Sequence, residues 1–309
     1  MKQTRVIDLP SGVDATTAST PRGDFAVVVA RPPAELEVRG SAVLVPGWTG
    51  SKEDFAAIVA LLARDGWTVA AYDQRGQYKS PGYPDAEDYT WTNLAADAAA
   101  VADWLDPGNR VHLTGHSFGG LVAAAAAVGH PERWASVTFM CSGPAGKDDA
   151  PAQDGLHRLA DSLDAIADDN PDERAGGMAV LWDVKRRLEV AAGGELDDPE
   201  SEAFLRERFV ADDPAGLAAF SRMLASAPDR IDDVARTEVA AFVVYGEDDD
   251  AWPIELQDRM AARLGSAPVV IAGAGHSPAV DQPDTTADVL AGLWSSVLSD
   301  EPGGDEPAA

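Results

Sequence analysis

One serine, one histidine and one acidic run stand in settings that suit nucleophilic catalysis. Ser117 lies in Gly115-His116-Ser117-Phe118-Gly119-Gly120, directly after the apolar run 111–114 and directly before an Ala-rich helical pattern. A serine on a sharp strand-to-helix turn points its hydroxyl out of a sheet, on strained backbone angles. Glycines two positions to either side are needed because such a turn brings neighbouring segments too close for a Cβ. Helix N-terminal amides then face the hydroxyl and favour developing negative charge.

A serine hydroxyl is a weak nucleophile without a base in hydrogen-bond reach, and the base needs an orienter. There are five histidines. His112 falls inside the apolar run, His116 adjoins the serine and is expected to point away, His130 ends a helical segment, and His157 has no companion motif. His276 stands in Gly273-Ala274-Gly275-His276-Ser277-Pro278, a Gly-rich loop after the apolar run 269–271. Loops at strand C-terminal ends are where side chains meet above a sheet, so His276 is the expected base. The orienting acid is expected at the end of the preceding strand, where Val243-Val244-Tyr245-Gly246 runs into Glu247-Asp248-Asp249-Asp250. Asp249 is preferred because Gly246 permits the turn and Pro253 starts the next helix; Asp248 and Asp250 stay open as alternatives. A calcium loop is the other reading of such a run, but no EF-hand spacing follows. The order Ser117, Asp249, His276 differs from the two protease triad orders.

Acyl transfer also needs two oxyanion donors. The backbone N–H of Phe118 is one. The other is expected from Pro46-Gly47-Trp48-Thr49-Gly50-Ser51, where Gly47 allows close approach and the Trp48 N–H is the donor.

These groups must be carried by a sheet. Short apolar runs at 25–30, 42–45, 68–72, 111–114, 137–140, 241–245 and 269–271 alternate with helical patterns at 54–64, 93–104, after Gly120, 254–264 and 285–298. That alternation predicts an α/β fold with a mostly parallel sheet covered by helices on both faces. Asp97 interrupts the alanines of 95–102, as in an amphipathic helix. The alternation stops between about 145 and 236. There the apolar patterns Leu156–Leu159–Leu163–Ile166, Met178–Leu181–Trp182–Leu188 and Phe204–Leu205–Phe209 are separated by Pro171, Pro199, Pro214 and Pro228. This predicts a helical cap (145–236) inserted into a core formed by 1–144 and 237–298, with a disordered acidic tail at 299–309.

Composition narrows the partners. A formal net charge of −28, from 52 acidic and 24 basic residues, repels phosphate backbones and anionic membranes. No apolar stretch reaches the roughly 18–20 residues of a bilayer span, and the N-terminus has no signal-peptide pattern, so a cytoplasmic protein is expected. The lone Cys141 follows the run 137–140 and reads as a buried strand-end residue, not a nucleophile. The expected partner is a small molecule, with no nucleic acid, membrane, metal or organic cofactor.

With PGWTGSKEDF, YDQRGQYKSPG, LTGHSFGG, VVYGEDDDAWP and GAGHSP in that order, the chain resembles the α/β-hydrolase superfamily from about residue 20 to 298. The resemblance implies a parallel-sheet core, a cap after the sixth strand, and the same roles for Ser117, Asp249 and His276. Two departures stand out. The oxyanion turn begins Pro46-Gly47 where members usually have His-Gly, and Tyr78 replaces a common glycine. Asp73 and Arg75 look structural. Dehalogenases and most epoxide hydrolases of the superfamily carry aspartate at the elbow, so Ser117 implies an esterase-like or lipase-like activity on carboxylic esters. Trp252, Met178 and Trp182, with Trp48 and Phe118, are expected to line an apolar pocket. Alternatives on the same triad are C–C hydrolysis, perhydrolysis and acyl transfer, and a non-catalytic ligand-binding member is the reading from another class.

Overall fold

A computed structural model describes residues 9–147, 149–168, 170–191 and 198–300. Its strands are β1 (Val13–Thr20), β2 (Gly23–Ala30), β3 (Gly40–Val45), β4 (Trp67–Tyr72), β5 (Val111–His116), β6 (Trp134–Met140), β7 (Ala240–Gly246) and β8 (Val269–Ile271). They form one sheet in the order β1-β2-β4-β3-β5-β6-β7-β8. From β4 to β8 all pairings are parallel, and β2 joins β4 and β1 antiparallel. The helices are α1 (Ala56–Arg64), α2 (Trp91–Leu105), α3 (Phe118–Gly129), α4 (Ala150–Ala167), α5 (Pro171–Ala191), α6 (Pro199–Ala211), α7 (Pro214–Ser226), α8 (Ile231–Arg236), α9 (Ile254–Arg263), α10 (Pro278–Asp281) and α11 (Pro283–Asp300).

The seven expected strands all form, since apolar runs such as Val111–His116, buried along its whole length, are stable only when both sheet faces are covered. One helical layer packs α1 against α11; the other joins α2 to α3, α3 to α8 and α8 to α9. The strand missed in the sequence is β1. It is an edge strand whose Thr- and Ser-rich residues are mostly exposed, so it carries no apolar run to detect. Two other expectations change. Residues 299 and 300 continue α11, whereas 301–309 of the expected tail, like residues 1–8, lie outside the described residues. Asp97 is not on a solvent face: it is buried, and its carboxylate accepts from Arg22 Nε (2.5 Å), Arg75 Nε (3.2 Å) and the Tyr83 hydroxyl (2.6 Å). Arg75 also lies over the rings of Phe25 and Tyr83, which clamps the 73–80 turn to the sheet.

The interruption after β6 holds helices α4–α7, and Pro171, Pro199 and Pro214 each open one of them, where proline's missing N–H costs nothing. Ala160, Leu163, Met178, Trp182, Phe209, Leu217 and Ala218 form a small second core there. Leu188, expected on the packed face of α5, is 67% exposed instead. α8, placed in the insertion by sequence, packs on α3 and α9 with Ile231 and Val234 in the main core, so it belongs to the sheet's own helical layer.

Polar and charged contacts attach α6 and α7 to the rim of the sheet. Arg208 on α6 donates to Asp54 (2.8 Å), the Tyr78 N–H donates to Asp212 (2.8 Å), and the Tyr89 hydroxyl donates to Asp213 (2.8 Å). Beneath them Lys52 Nζ is paired with Asp73 (2.7 Å) and Glu53 (2.8 Å). Tyr78 adopts φ 40°, a conformation that glycine takes more readily, and its hydroxyl donates to Glu207 on α6 (2.8 Å). The bulk that departs from the family pattern thus reaches across to α6. Burial pushes the Asp212 carboxyl up to about 8, against the Tyr78 N–H and Arg208, which favour its charged form.

Two outcomes test these contacts. Asp97→Ala leaves Arg75 buried without its carboxylate and is expected to cost about 3–5 kcal/mol in urea unfolding, while Asp103→Ala, at an exposed position of the same helix, stays near wild type. Asp212 has a folded pKa above its unfolded value, so the folded state holds the extra proton. Its contribution to stability is full below the unfolded pKa and is lost as pH rises toward about 8. The stability of Asp212→Asn relative to wild type should therefore rise from about pH 4 to pH 8, with a limiting slope of about 1.4 kcal/mol per pH unit, and stay level above.

Candidate active site

Ser117 occupies the turn between β5 and α3 at φ 53°, ψ −119°, a strained conformation for a residue with a side chain. Its N–H donates to the Met140 carbonyl (2.9 Å), and its own carbonyl accepts from the Ser142 hydroxyl (2.8 Å). Crowding explains the flanking glycines. A Cβ on Gly115 would stand 2.2 Å from the Gly119 carbonyl oxygen, and one on Gly119 would stand 2.3 Å from that of Val45. The side chain of Ser117 is only half-buried, unlike its neighbours on both sides.

The loop after β8 brings His276 to it. His276 Nε2 lies 3.0 Å from Ser117 Oγ, and Nδ1 lies 2.8 Å from Asp249 Oδ1. Three loops separated by 27 and 159 positions thus converge on one imidazole. Within the acidic run Glu247, Asp248 and Asp250 are exposed and Asp249 alone is buried. Its carboxylate also accepts from the Ala251 N–H (3.0 Å) and Gln257 Nε2 (2.9 Å). Burial pushes this carboxyl up, but the hydrogen bond and charge of His276 outweigh it, holding the group below the ordinary carboxylate range. Asp249 therefore stays ionised at neutral pH. Glu247 instead accepts from the Gly273 N–H (3.1 Å), tying the two loops together.

His116 does not point away. As the last residue of β5 it reaches the rim that the 273–278 loop crosses, and its Nε2 donates to the His276 carbonyl at 2.6 Å, ring centroids 4.9 Å apart. His112, by contrast, is buried between Trp67 and Trp294, and burial lowers its pKa to about 4. Cys141 is buried one residue past β6, and its thiol is pushed well up by burial and then by the charge of Asp249. Among the described residues one group, Cys141, Asp249 and His276, brings potential metal ligands within 4.8 Å of one another; the His276–Asp249 hydrogen bond already occupies two of these donors.

The turn after β3 lies against the elbow: a Cβ on Gly47 would stand 3.3 Å from both Ser117 Cβ and His116 Nδ1. The Phe118 N–H, at the first position of α3, has no acceptor within its helix. Three consecutive carbonyls of the facing turn are held by side chains from 73–80. Gln74 Nε2 donates to Pro46 O (3.0 Å), and Gln77 Nε2 donates to Gly47 O (2.7 Å) and Trp48 O (3.0 Å). The Trp48 indole donates to Ser221 on α7 (3.1 Å), so this turn also touches the inserted helices.

Of the expected pocket residues, Trp252 lines a cavity of about 490 Å³ beside Asp249, together with Lys147, Asp149, Asp250, Pro253 and Leu256. Met178 and Trp182 pack in the second core of α4–α7. The Phe118 ring is fully buried against Trp91 and Phe220 and does not line that cavity. Sequence reasoning misplaced His116 and did not single out Gln74, Gln77 or Gln257. Polar residues in turns or on a helix face read as solvated, and only the contact across the fold reveals them. Among the described residues no helix is long and apolar enough to cross a membrane.

Comparison with known proteins fits this architecture. The alpha/beta hydrolase family matches residues 42–289. A bifunctional esterase/perhydrolase of Acinetobacter calcoaceticus is 25% identical over 239 residues, which is 71% of this chain and 77% of that protein. A putative carbamate hydrolase of Variovorax paradoxus (strain S110) is 35% identical over 113 residues, 35% of this chain, and the match spans only 42% of that protein. Among solved structures, a thermophilic esterase from Thermogutta terrifontis superposes with a TM-score of 0.69 at 23% identity, covering 92% of this chain and 99% of that one. The enol-lactonase from Burkholderia xenovorans LB400 superposes with a TM-score of 0.69 at 20% identity, covering 91% of this chain and 100% of the other. These two likenesses carry the fold, and the family match extends from β3 into α11. The chain belongs to the alpha/beta hydrolase family.

Proposed function

We propose that this family member is a serine hydrolase that cleaves carboxylic esters of small, largely apolar substrates through an acyl-enzyme. The observation that carries the reading is the His276 imidazole within hydrogen-bond reach of the Ser117 hydroxyl on one side and the Asp249 carboxylate on the other. Ser117 Oγ attacks the acyl carbon while His276 Nε2 takes its proton. The amides of Trp48 and Phe118 hold the resulting oxyanion. Collapse breaks the bond to the alcohol oxygen, and His276 returns the proton to the leaving alcohol. A water, deprotonated by the same nitrogen, then attacks the acyl-enzyme; the acid departs and Ser117 recovers its proton. Asp249 accepts a hydrogen bond from Nδ1–H throughout, which keeps Nε2 as the basic nitrogen. The helices α4–α7 act as a cap over this site and set access and acyl size.

The similarity to a bifunctional esterase/perhydrolase supports hydrogen peroxide as a second acceptor of the acyl group, giving a peracid in place of the acid. Peracid formation from an ester and hydrogen peroxide measures that branch directly.

A fluorophosphonate probe is expected to label the protein stoichiometrically at Ser117, and labelling should vanish in Ser117→Ala. A folded wild-type protein that takes up no probe would exclude nucleophilic catalysis. Asp249→Asn should lower kcat on p-nitrophenyl esters by about 10⁴-fold through the wrong His276 tautomer, while Asp248→Asn and Asp250→Asn stay near wild type. The reverse pattern would move the acid to one of those neighbours.

A further inference from the structure

We infer that Gln77 is a positioning residue: its side-chain amide aims and polarises the Trp48 N–H toward the developing oxyanion. The inference rests on the serine-hydrolase reading above and adds a residue that the triad and its two donor amides do not include. Gln77 is 2% exposed, and all its hydrogen-bonding groups are engaged. Nε2 donates to the carbonyls of Gly47 (2.7 Å) and Trp48 (3.0 Å), and Oε1 accepts from the Gln74 N–H (3.1 Å).

The Gly47 carbonyl and the Trp48 N–H belong to the same peptide unit. In a planar trans peptide the two bonds point in opposite directions. Fixing the Gly47 oxygen on Gln77 therefore directs the Trp48 N–H away from the 73–80 turn, and Gly47 itself lies against Ser117. Accepting a hydrogen bond at the carbonyl also polarises the amide and strengthens its N–H as a donor. β3 has ended at Val45, so no regular strand or helix sets this orientation; the Gly47 oxygen also accepts from the Gly50 N–H (3.1 Å) across the turn, and the shorter bond from Gln77 ties that turn to the 73–80 segment. Gln77 is anchored in its own right: its N–H donates to Gln74 O (2.9 Å), and the neighbouring N–H groups of Tyr78 and Lys79 donate to Asp212 (2.8 Å) and Asp73 (3.2 Å). Gln74 makes a parallel contact to Pro46 O, but the N–H of that peptide unit belongs to Gly47 and not to the proposed donor.

The test compares Gln77→Met, which keeps length but donates nothing, with Gln74→Met, followed by ester kinetics and the second-order rate of fluorophosphonate labelling at Ser117. Phosphonylation builds a tetrahedral centre with an oxygen in the same hole, so it reports the hole without relying on a chosen ester. Gln77→Met is expected to lower both kcat and the labelling rate by about 10- to 100-fold with KM little changed, whereas Gln74→Met has a clearly smaller effect on both. Gln77→Asn, an amide one methylene short, should lie between wild type and Gln77→Met, and it serves alone should Gln77→Met not fold. Labelling of folded Gln77 variants at the wild-type rate would overturn the inference and leave the serine-hydrolase reading standing. So would equal losses in the Gln74 and Gln77 variants that follow their melting temperatures. If wild-type Ser117 takes up no probe, both fall together, since no oxyanion would form there.

Discussion

Ser117 sits in a backbone conformation that costs energy, and the close approach of three chain segments holds it there. The last residues of β5, the first turn of α3 and the end of β3 meet so tightly that the carbonyl oxygens of Gly119 and Val45 occupy the space where Cβ atoms of Gly115 and Gly119 would stand. Hydrogen bonds from the Ser117 N–H to Met140 and from Ser142 to the Ser117 carbonyl close the remaining freedom. Strain of this kind survives only where the surroundings over-determine it. The consequence is that the hydroxyl leaves the sheet while the backbone beside it is held rigid.

The turn at 73–80 extends that rigidity outward. Its buried Asp73 accepts from the Lys52 ammonium, Arg75 is locked on Asp97, and its two glutamines hold the opposite turn by the carbonyls. Tyr78 and Gly76 then receive the α6–α7 junction through Asp212 and Asp213. One largely buried turn thus supports the turn at 46–48 below and the inserted helices above. For a chain with a net charge of −28, placing the few bases Lys52, Arg75 and Arg208 inside this junction is a specific use of scarce positive charge. Each buried cation there has a carboxylate beside it, as the desolvation cost of a lone charge demands.

Similar groups at this site differ by environment. Four adjacent carboxylates leave β7, yet they differ in environment more than in chemistry. Asp249 is turned inward and receives hydrogen bonds from His276, Ala251 and Gln257; Glu247 braces the 273–278 loop; Asp248 and Asp250 face solvent. His276 is supported on both ends, its ring by Asp249 and its carbonyl by His116.

Much of the fold was legible because its signals are local: apolar runs of strand length, proline at helix starts, and glycines flanking a serine. The edge strand β1 escaped because a Thr-rich strand with one exposed face after another offers no apolar pattern. Asp97, Leu188 and His116 were misplaced because an isolated residue does not reveal which neighbour will cover it. The sequence by itself determined the sheet, the interruption after the strand at 137–140, and the serine, histidine and acidic run as the groups able to do chemistry, since each is written in residues a few positions apart. Only the tertiary structure decided which carboxylate turns inward, which way His116 points, and which side chains hold the carbonyls of the turn at 46–48. Those outcomes depend on burial and on partners 27 to 160 positions away, and proximity of that kind is created by the packing of the sheet and not by any pattern along the chain.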